Sequence, residues 1–142
     1  MKIFLFFLLF ISINSIGQKT LNNICDSLQI KKDTTIKIFI KGVGSVYELE
    51  AKFFQQEFEL TSFDNNAEIV SFRLSVDSKD LMMYRANNGK KVAPDLIIDG
   101  VDKGKDFSLR FLSAGSYIFF DSIVVKKGDA CFKVSPFIIK IK

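Results

Sequence analysis

Apolar and polar residues alternate along most of the chain after residue 35, which is the pattern of β-strands with one buried face. The alternation is clearest over 36–41, where every second residue is isoleucine, and over 69–76, where Ser71, Arg73 and Ser75 separate the apolar positions. The same pattern predicts further strands over 46–53, 57–61, 95–98, 117–125 and 131–141.

Turn-forming residues separate the predicted strands, because Asn, Asp and Gly tolerate the backbone of tight turns. They cluster at 64–66, 87–89, 99–100 and 128–129. Pro136 inside the last strand indicates an edge position or a bulge. The segment 106–112 is interpreted as an irregular connection, with a strand or one helical turn as the alternatives. Roughly seven to nine short strands without a sustained helical period predict an all-β fold, an immunoglobulin-like antiparallel β-sandwich in one domain over 35–142.

The start of the chain has the three-part layout of a secretory signal peptide. A positive residue precedes an apolar run over 3–13, and Ser15 and Gly17 are the small residues that signal peptidase requires before its cut. The apolar run is shorter than the roughly twenty residues that cross a bilayer. We therefore predict a cleaved signal peptide over 1–17, export to the periplasm or the exterior, and a loosely structured N-terminal arm over 18–34.

The charge balance disfavours nucleic acid as a partner. The chain has 20 basic and 16 acidic residues, a net charge of +4, and loss of the single lysine in the leader leaves 19 against 16, or +3. Nucleic-acid binding usually needs a concentrated basic patch. The lysine pairs at 31–32, 90–91 and 126–127 lie in different turns, so we interpret them as solvated surface, with contacts to an acidic partner or to lipid headgroups as the alternative.

Two cysteines, Cys25 and Cys131, remain in the predicted mature chain. Export brings them into an oxidising compartment, where an even number of cysteines can pair. One disulfide would tie the arm to the last strand across a loop of about a hundred residues, worth about 3 to 5 kcal/mol in the chain-entropy model. Two buried free thiols are the alternative.

The chain has no histidine, so the commonest general base and metal ligand is missing. Nucleophile systems that depend on histidine are therefore excluded. The remaining candidates for catalysis are the carboxylates of Glu48, Glu50, Glu57 and Glu59. A carboxylate pair is the minimal apparatus of a glycosidase, but alternating glutamates along an amphipathic strand are typical of its solvated face.

A second acidic set lies between residues 95 and 106. Asp95, Asp99, Asp102 and Asp106 have the composition of a calcium loop, but their spacing misses the alternating ligands of an EF-hand and two lysines intervene. A polar hairpin loop is the favoured interpretation, and weak calcium binding is the alternative. No catalytic residue, cofactor site or metal site is predicted.

A longer ordered pattern connects the second half of the chain to a known family. The sequence EIVSFRLS at 68–75 is followed by FLSAGSYIFFDSIVV at 111–125, a turn containing Gly128, and a closing strand at 138–142. This order resembles the C-terminal domain of GldM, a component of the gliding-motility and type IX secretion machinery. In that family a V-x-SF strand precedes L-x-x-G-x-x-I-x-F-x-x-I, a glycine turn and a terminal strand. The resemblance covers 68–142.

The resemblance implies scaffold positions and no catalytic residue. These positions are Val70, Ser71, Phe72, Gly115, Ile118, Phe120 and Ile123. Gly115 is expected in a tight turn, and Ile118, Phe120 and Ile123 are expected in the core. GldM is membrane-anchored and several times longer, and its usual G-x-D-G turn is KGDA here. The resemblance therefore implies a β-rich exported domain that meets protein partners and has no enzymatic role.

From these patterns we predict a non-enzymatic, exported protein-interaction module of the bacterial cell envelope, linked by resemblance to gliding or type IX secretion. An envelope protein would bind to an exposed strand edge or loop face. The alternatives are a carbohydrate- or calcium-binding module around 95–106, and a carboxylate-dependent hydrolase that uses two of the four glutamates. The sequence names neither the partner nor the oligomeric state, so a homo-oligomer stays open.

Overall fold

The computed structural model describes residue 25 and residues 29–78, 81–97 and 106–142. These residues form mainly β-strands, which confirms the all-β class. The strands are β1 Lys31–Lys32, β2 Ile38–Ile40, β3 Glu48–Leu49, β4 Phe58–Ser62, β5 Ala67–Ser78, β6 Leu81–Asn88, β7 Lys91–Val92, β8 Asp95–Ile97, β9 Asp106–Ser108, β10 Tyr117–Lys127, β11 Ala130–Lys133 and β12 Phe137–Ile141. Two short 3₁₀ helices occupy Ala51–Gln55 and Leu109–Phe111.

The larger sheet has seven strands, with β10 at its centre. One edge of β10 pairs with β5, and the other pairs with β12 near the start of β10 and with β11 near its end. β6 pairs with the far edge of β5. β1 joins β11 and β3 joins β12 in parallel. The sheet is therefore mixed and not antiparallel throughout as predicted, because the chain leaves this edge after β1, passes through the smaller sheet and returns as β3.

The smaller sheet consists of β2, β4 and β7, and β8 and β9 form a separate two-stranded ladder. The seven-stranded sheet and the three-stranded sheet both contribute to one apolar core. Phe120 of β10 marks where they meet, since its ring packs edge-on against Phe58 of β4 and stacks on Phe137 of β12, with centroids 6.3 and 4.5 Å apart. Two sheets around one core are compatible with the predicted sandwich.

Burial follows the alternation in the sequence. In β4, Phe58, Leu60 and Ser62 are buried, while Glu59 and Thr61 point to the opposite face. Fully burying one large apolar side chain contributes about 1.5 to 3 kcal/mol. The largest fully buried side chains are Phe54, Phe120, Ile40, Leu60, Leu74, Leu109, Ile118, Ile123, Ile139, Ile141 and Val76.

A β-bulge at Ser122 changes which positions of β10 are buried. Ser122 has φ 52°, a left-handed backbone value, and the register with β5 slips next to it. Ile118 and Phe120 are buried before the bulge, and Ile123 and Val125 after it. The extra residue therefore keeps the apolar positions on the core side even though their numbers change from even to odd.

Val70 lies at a compensating irregularity in β5 and points away from the main core. Ile69 belongs to the main core, whereas Val70 packs with Val124 and with Cys25 and Cys131 in a second cluster on the opposite face. The two cysteines form a disulfide, with Cα atoms 5.7 Å apart. This end of the large sheet is consequently covered on both faces.

One predicted strand ends early and continues into a helical turn. The strand expected over 46–53 is limited to β3, and Ala51–Gln55 form a 3₁₀ helix. The helical turn allows the adjacent rings of Phe53 and Phe54 both to pack on the core. A strand would place them on opposite faces.

Three further segments differ from the sequence-based prediction. The strand expected over 131–141 is divided into β11 and β12, and Pro136, which has no N–H for a ladder, lies in the break. No strand is predicted over 81–88, where the structure has the eight-residue β6. The segment 106–112, expected to be irregular, contains β9 and a 3₁₀ helix.

The predicted signal peptide over 1–17 lies outside the described residues, as does most of the arm over 18–34. Within that arm, Lys31–Lys32 form β1. In the part of the chain that the structure describes, no helix has the length and apolar character to span a membrane.

Candidate functional site

A groove of about 600 Å³ lies between one edge of the smaller sheet and one edge of the larger sheet. We call it the seam groove. Its lining residues come from three segments, namely 36–40, 44–47 and 135–139. The first contains β2, the second leads into β3, and the third leads into and includes the start of β12.

The large-sheet wall of the seam groove is the stretch of sheet edge between the pairing of β1 with β11 and the pairing of β3 with β12. Two parallel partners bracket it, since the Asp33 N–H donates to the Lys133 carbonyl at 3.0 Å and the Lys140 N–H donates to the Tyr47 carbonyl at 2.8 Å. Between these contacts, 134–139 has no strand partner on this side among the described residues. Because backbone groups alternate in direction along a strand, the N–H and C=O of Ile138 point the same way as those of Lys140, toward the groove.

The small-sheet wall is the edge of β2 away from β4. At its end the Ile40 carbonyl accepts from the N–H groups of Val43 and Gly44, both at 3.1 Å, and Ile38 has no strand partner on this side among the described residues. The Lys41 N–H donates to the Glu59 carbonyl at 2.8 Å, and the Lys37 carbonyl accepts from the Phe63 N–H at 3.4 Å. These bonds show that the backbone N–H and C=O groups of the odd-numbered residues of this segment point toward β4. The N–H and C=O of Ile38 therefore point the other way, into the groove.

The floor of the seam groove is apolar. Ile38 and Phe137 both line the groove and are half-buried, and both pack against the main core. The ring of Phe137 lies parallel to that of Phe120, at 9° between planes. The groove thus opens onto the edge of the core itself.

One end of the seam groove is positively charged. Lys37 lines the groove itself. Lys32 and Lys133 are not among the lining residues and lie opposite each other where β1 pairs with β11, next to the start of the unpaired edge at 134. None of these three lysines forms an ion pair with another described residue. Asp33, an acidic residue, directly follows Lys32. Its carboxylate accepts hydrogen bonds from the Thr35 hydroxyl and N–H at 2.7 and 2.8 Å, and these bonds lower its pKa.

A second unpartnered surface lies on the outer face of the large sheet, opposite the core. We call it the outer patch. The register aligns Ile138, Phe119 and Tyr84 in one row across the sheet and Tyr117 and Met82 in the next. Four of the five side chains are exposed, from 40% for Tyr117 to 77% for Met82, and Phe119 is half-buried. On β5, Ser75 lies between Phe119 and Tyr84, and Asp77 lies between Tyr117 and Met82.

The four candidate glutamates are each paired with lysine. Glu48 lies near Lys140 and Lys142, and Glu50 pairs with Lys52, two residues further along the chain. Glu57 and Glu59 pair with lysines on neighbouring segments. The hydrogen bond and charge of Lys52 lower the pKa of Glu50, and the hydrogen bond from Lys41 lowers that of Glu59. A general acid in glycoside hydrolysis needs a raised pKa, so the arrangement of these two carboxylates is unsuited to that role.

Glu48 and Glu50 come together at a shallow depression of about 350 Å³, which Lys52, Phe53 and Lys142 also line. Glu57 and Glu59 do not line it; both interact with Lys91 instead. The structure therefore separates the four glutamates into two surface groups.

The acidic set at 95–106 is described only in part. Asp95 accepts hydrogen bonds from the Ser108 hydroxyl and the Arg110 guanidinium, and these two bonds lower its pKa. Asp99 and Asp102 lie outside the described residues, as does the side chain of Asp106. Within the described ranges, no three acidic, histidine or cysteine side chains converge as a metal site.

The family-pattern positions form scaffold. Gly115 has φ 88° in a turn, and its N–H donates to the Ile141 carbonyl at 2.8 Å. Ile118, Phe120 and Ile123 are fully buried in the main core. The remaining positions lie on β5, where Phe72 is buried in the main core, Ser71 pairs with Val124, and Val70 belongs to the second cluster.

Sequence reasoning missed the seam groove. Its lining comes from segments about a hundred residues apart, and no local pattern specifies that β2 and β12 diverge. Pro136 was the available signal, since it indicated an edge or a bulge in the last strand. The outer patch had a weaker signal, namely the apolar residues on both faces of 117–120.

Comparison of the chain with models of known families, with curated proteins and with solved structures finds no match.

Proposed function

We propose that this protein is an exported, non-enzymatic protein-interaction module of the bacterial cell envelope. We further propose that its fold is an immunoglobulin-like sandwich related to the C-terminal domain of GldM, and that it acts with gliding or type IX secretion machinery. The observation that supports an interaction role is the seam groove, where two strand edges face one apolar floor.

Proteins can recognise an extended polypeptide segment through an unpaired strand edge. An extended peptide that joins a sheet edge gains main-chain hydrogen bonds, and pockets for its alternate side chains give specificity. The groove presents the backbone of Ile38 on one wall and of Ile138 on the other, with half-buried apolar side chains between them. A small polar substrate would leave this apolar floor without a complementary surface.

The outer patch adds a second reason to propose a binding role. Contiguous exposed apolar side chains on a soluble domain commonly mark contact surfaces. The patch and the seam groove share Ile138, whose side chain is 45% exposed and whose backbone faces the groove. One partner could therefore contact both surfaces.

Affinity capture tests the proposed function. Residues 18–142, with the disulfide intact and the tag before Gln18, would be incubated with solubilised native envelopes. An unrelated exported β-sandwich of similar net charge serves as the control bait. We expect repeated recovery of one envelope protein with the chain and not with the control, followed by direct binding of the purified pair. Repeated captures without a specific partner would overturn the proposal.

A further inference from the structure

We infer that the seam groove accepts one extended segment of a partner protein as an additional β-strand, and that this segment alternates apolar residues and carries acidic residues at the end that meets Lys32, Lys37 and Lys133. This inference rests on the proposed function, because it specifies how and by what chemistry the module would bind its partner.

The length of the gap fits a short strand. The unpartnered edge runs over 134–139, between the pairings of β1 and of β3 with the same edge. A strand rises about 3.3 Å per residue, so five or six extended residues span this gap. The groove volume of about 600 Å³ lies within the range of roughly 300 to 1,000 Å³ typical of binding pockets.

The backbone of the groove provides hydrogen-bonding groups for such a strand. Ile38 and Ile138 each direct one N–H and one C=O toward it, as the alternation of the bonds on their other sides requires. Pro136 contributes no N–H, so the ladder on the large-sheet wall is interrupted at that residue. The inserted segment therefore needs both walls for a complete set of partners.

The two sides of an inserted strand would meet different surroundings. Successive side chains of a strand point to opposite faces, so every second residue would lie on the floor formed by Ile38 and Phe137. The residues between them would lie beside Ile138 on the outer face. The floor favours apolar residues at alternate positions because it is continuous with the main core.

The charge of the groove decides between a partner segment and a second copy of this chain. The lysine end favours acidic residues in the occupant, at a gain that weakens with salt. The long edge strand of this chain, β6, has the sequence LMMYRANN, with one arginine and no acid. That arginine, Arg85, is buried and donates to the Ala93 carbonyl, so a second copy inserting β6 would bring no acidic side chain to the lysines. We therefore assign the groove to an acidic segment of another protein.

The test uses two labelled peptides of about eight residues that alternate valine and threonine, the length needed to fill the gap and reach the lysines. One carries two terminal aspartates and the other two terminal lysines. Binding to residues 18–142 is followed by fluorescence anisotropy and by amide NMR shifts. We expect tighter binding of the acidic peptide, weakening with salt, and shifts at Ile38 and Ile138. No binding, equal binding of both peptides, or shifts confined to Tyr84 and Met82 would overturn the inference.

Matched variants test separately how much the two walls and the lysine charge contribute to peptide binding. Ile138→Pro removes the N–H that faces the groove and should weaken binding of the acidic peptide about tenfold, whereas Ile138→Thr keeps the N–H and should bind nearly as wild type. Lys37→Gln should weaken it about threefold, and Lys126→Gln, which removes another lysine without an ion pair among the described residues, should not. Ile38→Pro makes the same test on the other wall if Ile138→Pro fails to fold.

Unchanged binding in the folded proline variants would overturn the inference. Dimerisation of the wild type without peptide, abolished by Ile138→Pro, would also overturn it by assigning the groove to a second copy. The same variants used as baits distinguish the two proposals. A partner captured equally by wild type and Ile138→Pro would leave the proposed function standing without the groove, whereas no captured partner would remove the proposed function itself.

Discussion

The outer face of the large sheet has two halves that differ in how they are covered. In the half after the bulge at Ser122, Val70 and Val124 lie under the disulfide between Cys25 and Cys131. In the half before the bulge, the outer patch of Met82, Tyr84, Tyr117, Phe119 and Ile138 has no comparable cover among the described residues. Strand β10 therefore carries a covered apolar surface at one end and an open one at the other, whereas β5 contributes the polar residues Ser75 and Asp77 to the open half.

The sheet edge shows the same difference. Beside the covered half, β11 is paired with β1. Beside the open half, the edge leading into β12 has no partner from 29–78, 81–97 or 106–142 until β3 begins at Glu48. The open patch and the open edge thus occur together, which indicates that one end of the domain is completed by its own chain and the other is available for contact.

The largest expected effect comes from removing the cover. The double variant Cys25→Ser, Cys131→Ser releases a link across 106 residues. In the chain-entropy model this lowers the free energy of unfolding by about 4 to 5 kcal/mol. Urea denaturation of the variant and of the oxidised wild type, both as residues 18–142, measures the difference.

Mass analysis without reductant provides the control for this prediction. The oxidised wild type, as residues 18–142, should be lighter than the reduced chain by two hydrogens. Equal urea midpoints for an oxidised wild type and the double variant would show that the cover does not stabilise the sheet. The disulfide cover would then add nothing to the free energy of unfolding, and the covered half would not differ from the open half in this respect.

A smaller effect separates a covered from an open side chain. Val70 is 4% exposed and Tyr84 is 69% exposed, on neighbouring strands. Val70→Ala should cost about 1 to 3 kcal/mol, because it removes buried methyl groups and leaves space behind. Tyr84→Thr should change stability by less than about 0.5 kcal/mol, as expected for a surface position. Similar losses in thermal unfolding would contradict the assignment of covered and open halves.

The sequence predicted the parts of the fold that a local alternation determines. Ile36, Ile40, Phe58 and Leu60 are buried where the period of two placed them. The parity change in β10 also has a local signal, since the polar pair at 121–122 interrupts an apolar run. The alternation did not specify the parallel addition of β1 and β3, because that pairing depends on where the chain returns after visiting the smaller sheet.

The candidate site was less accessible to sequence reasoning, for the same physical reason. Glu48, Glu50, Glu57 and Glu59 were the candidates for catalysis, yet each is paired with a lysine. Lys52, the partner of Glu50, is two residues away in the chain, whereas the fold brings the partners of the other three glutamates from distant segments. The seam groove depends on an absence of pairing between two segments about a hundred residues apart. A strand pattern reports which face of a strand is buried and contains no information on which edge remains open.

The smallest expected effect concerns the covered half and depends on pH. Asp64 accepts a hydrogen bond from Lys127, at 2.6 Å, and another from the Asn66 N–H, at 3.0 Å. These bonds, that of Lys127 foremost, lower the pKa of Asp64 in the folded protein.

Because the folded pKa lies below the unfolded value of about 3.9, the Asp64 carboxylate stabilises the fold above that pH, and the contribution is lost as the pH falls through the folded pKa. Urea midpoints measured at about pH 5 and about pH 3 should therefore differ less in Asp64→Asn than in the wild type. Lys127→Met, which removes the partner, should reduce the difference in the same direction. An unchanged difference in both variants would show that this pair does not hold the turn at 64–66 against the end of β10, and that the covered half depends on the disulfide and its apolar cluster alone.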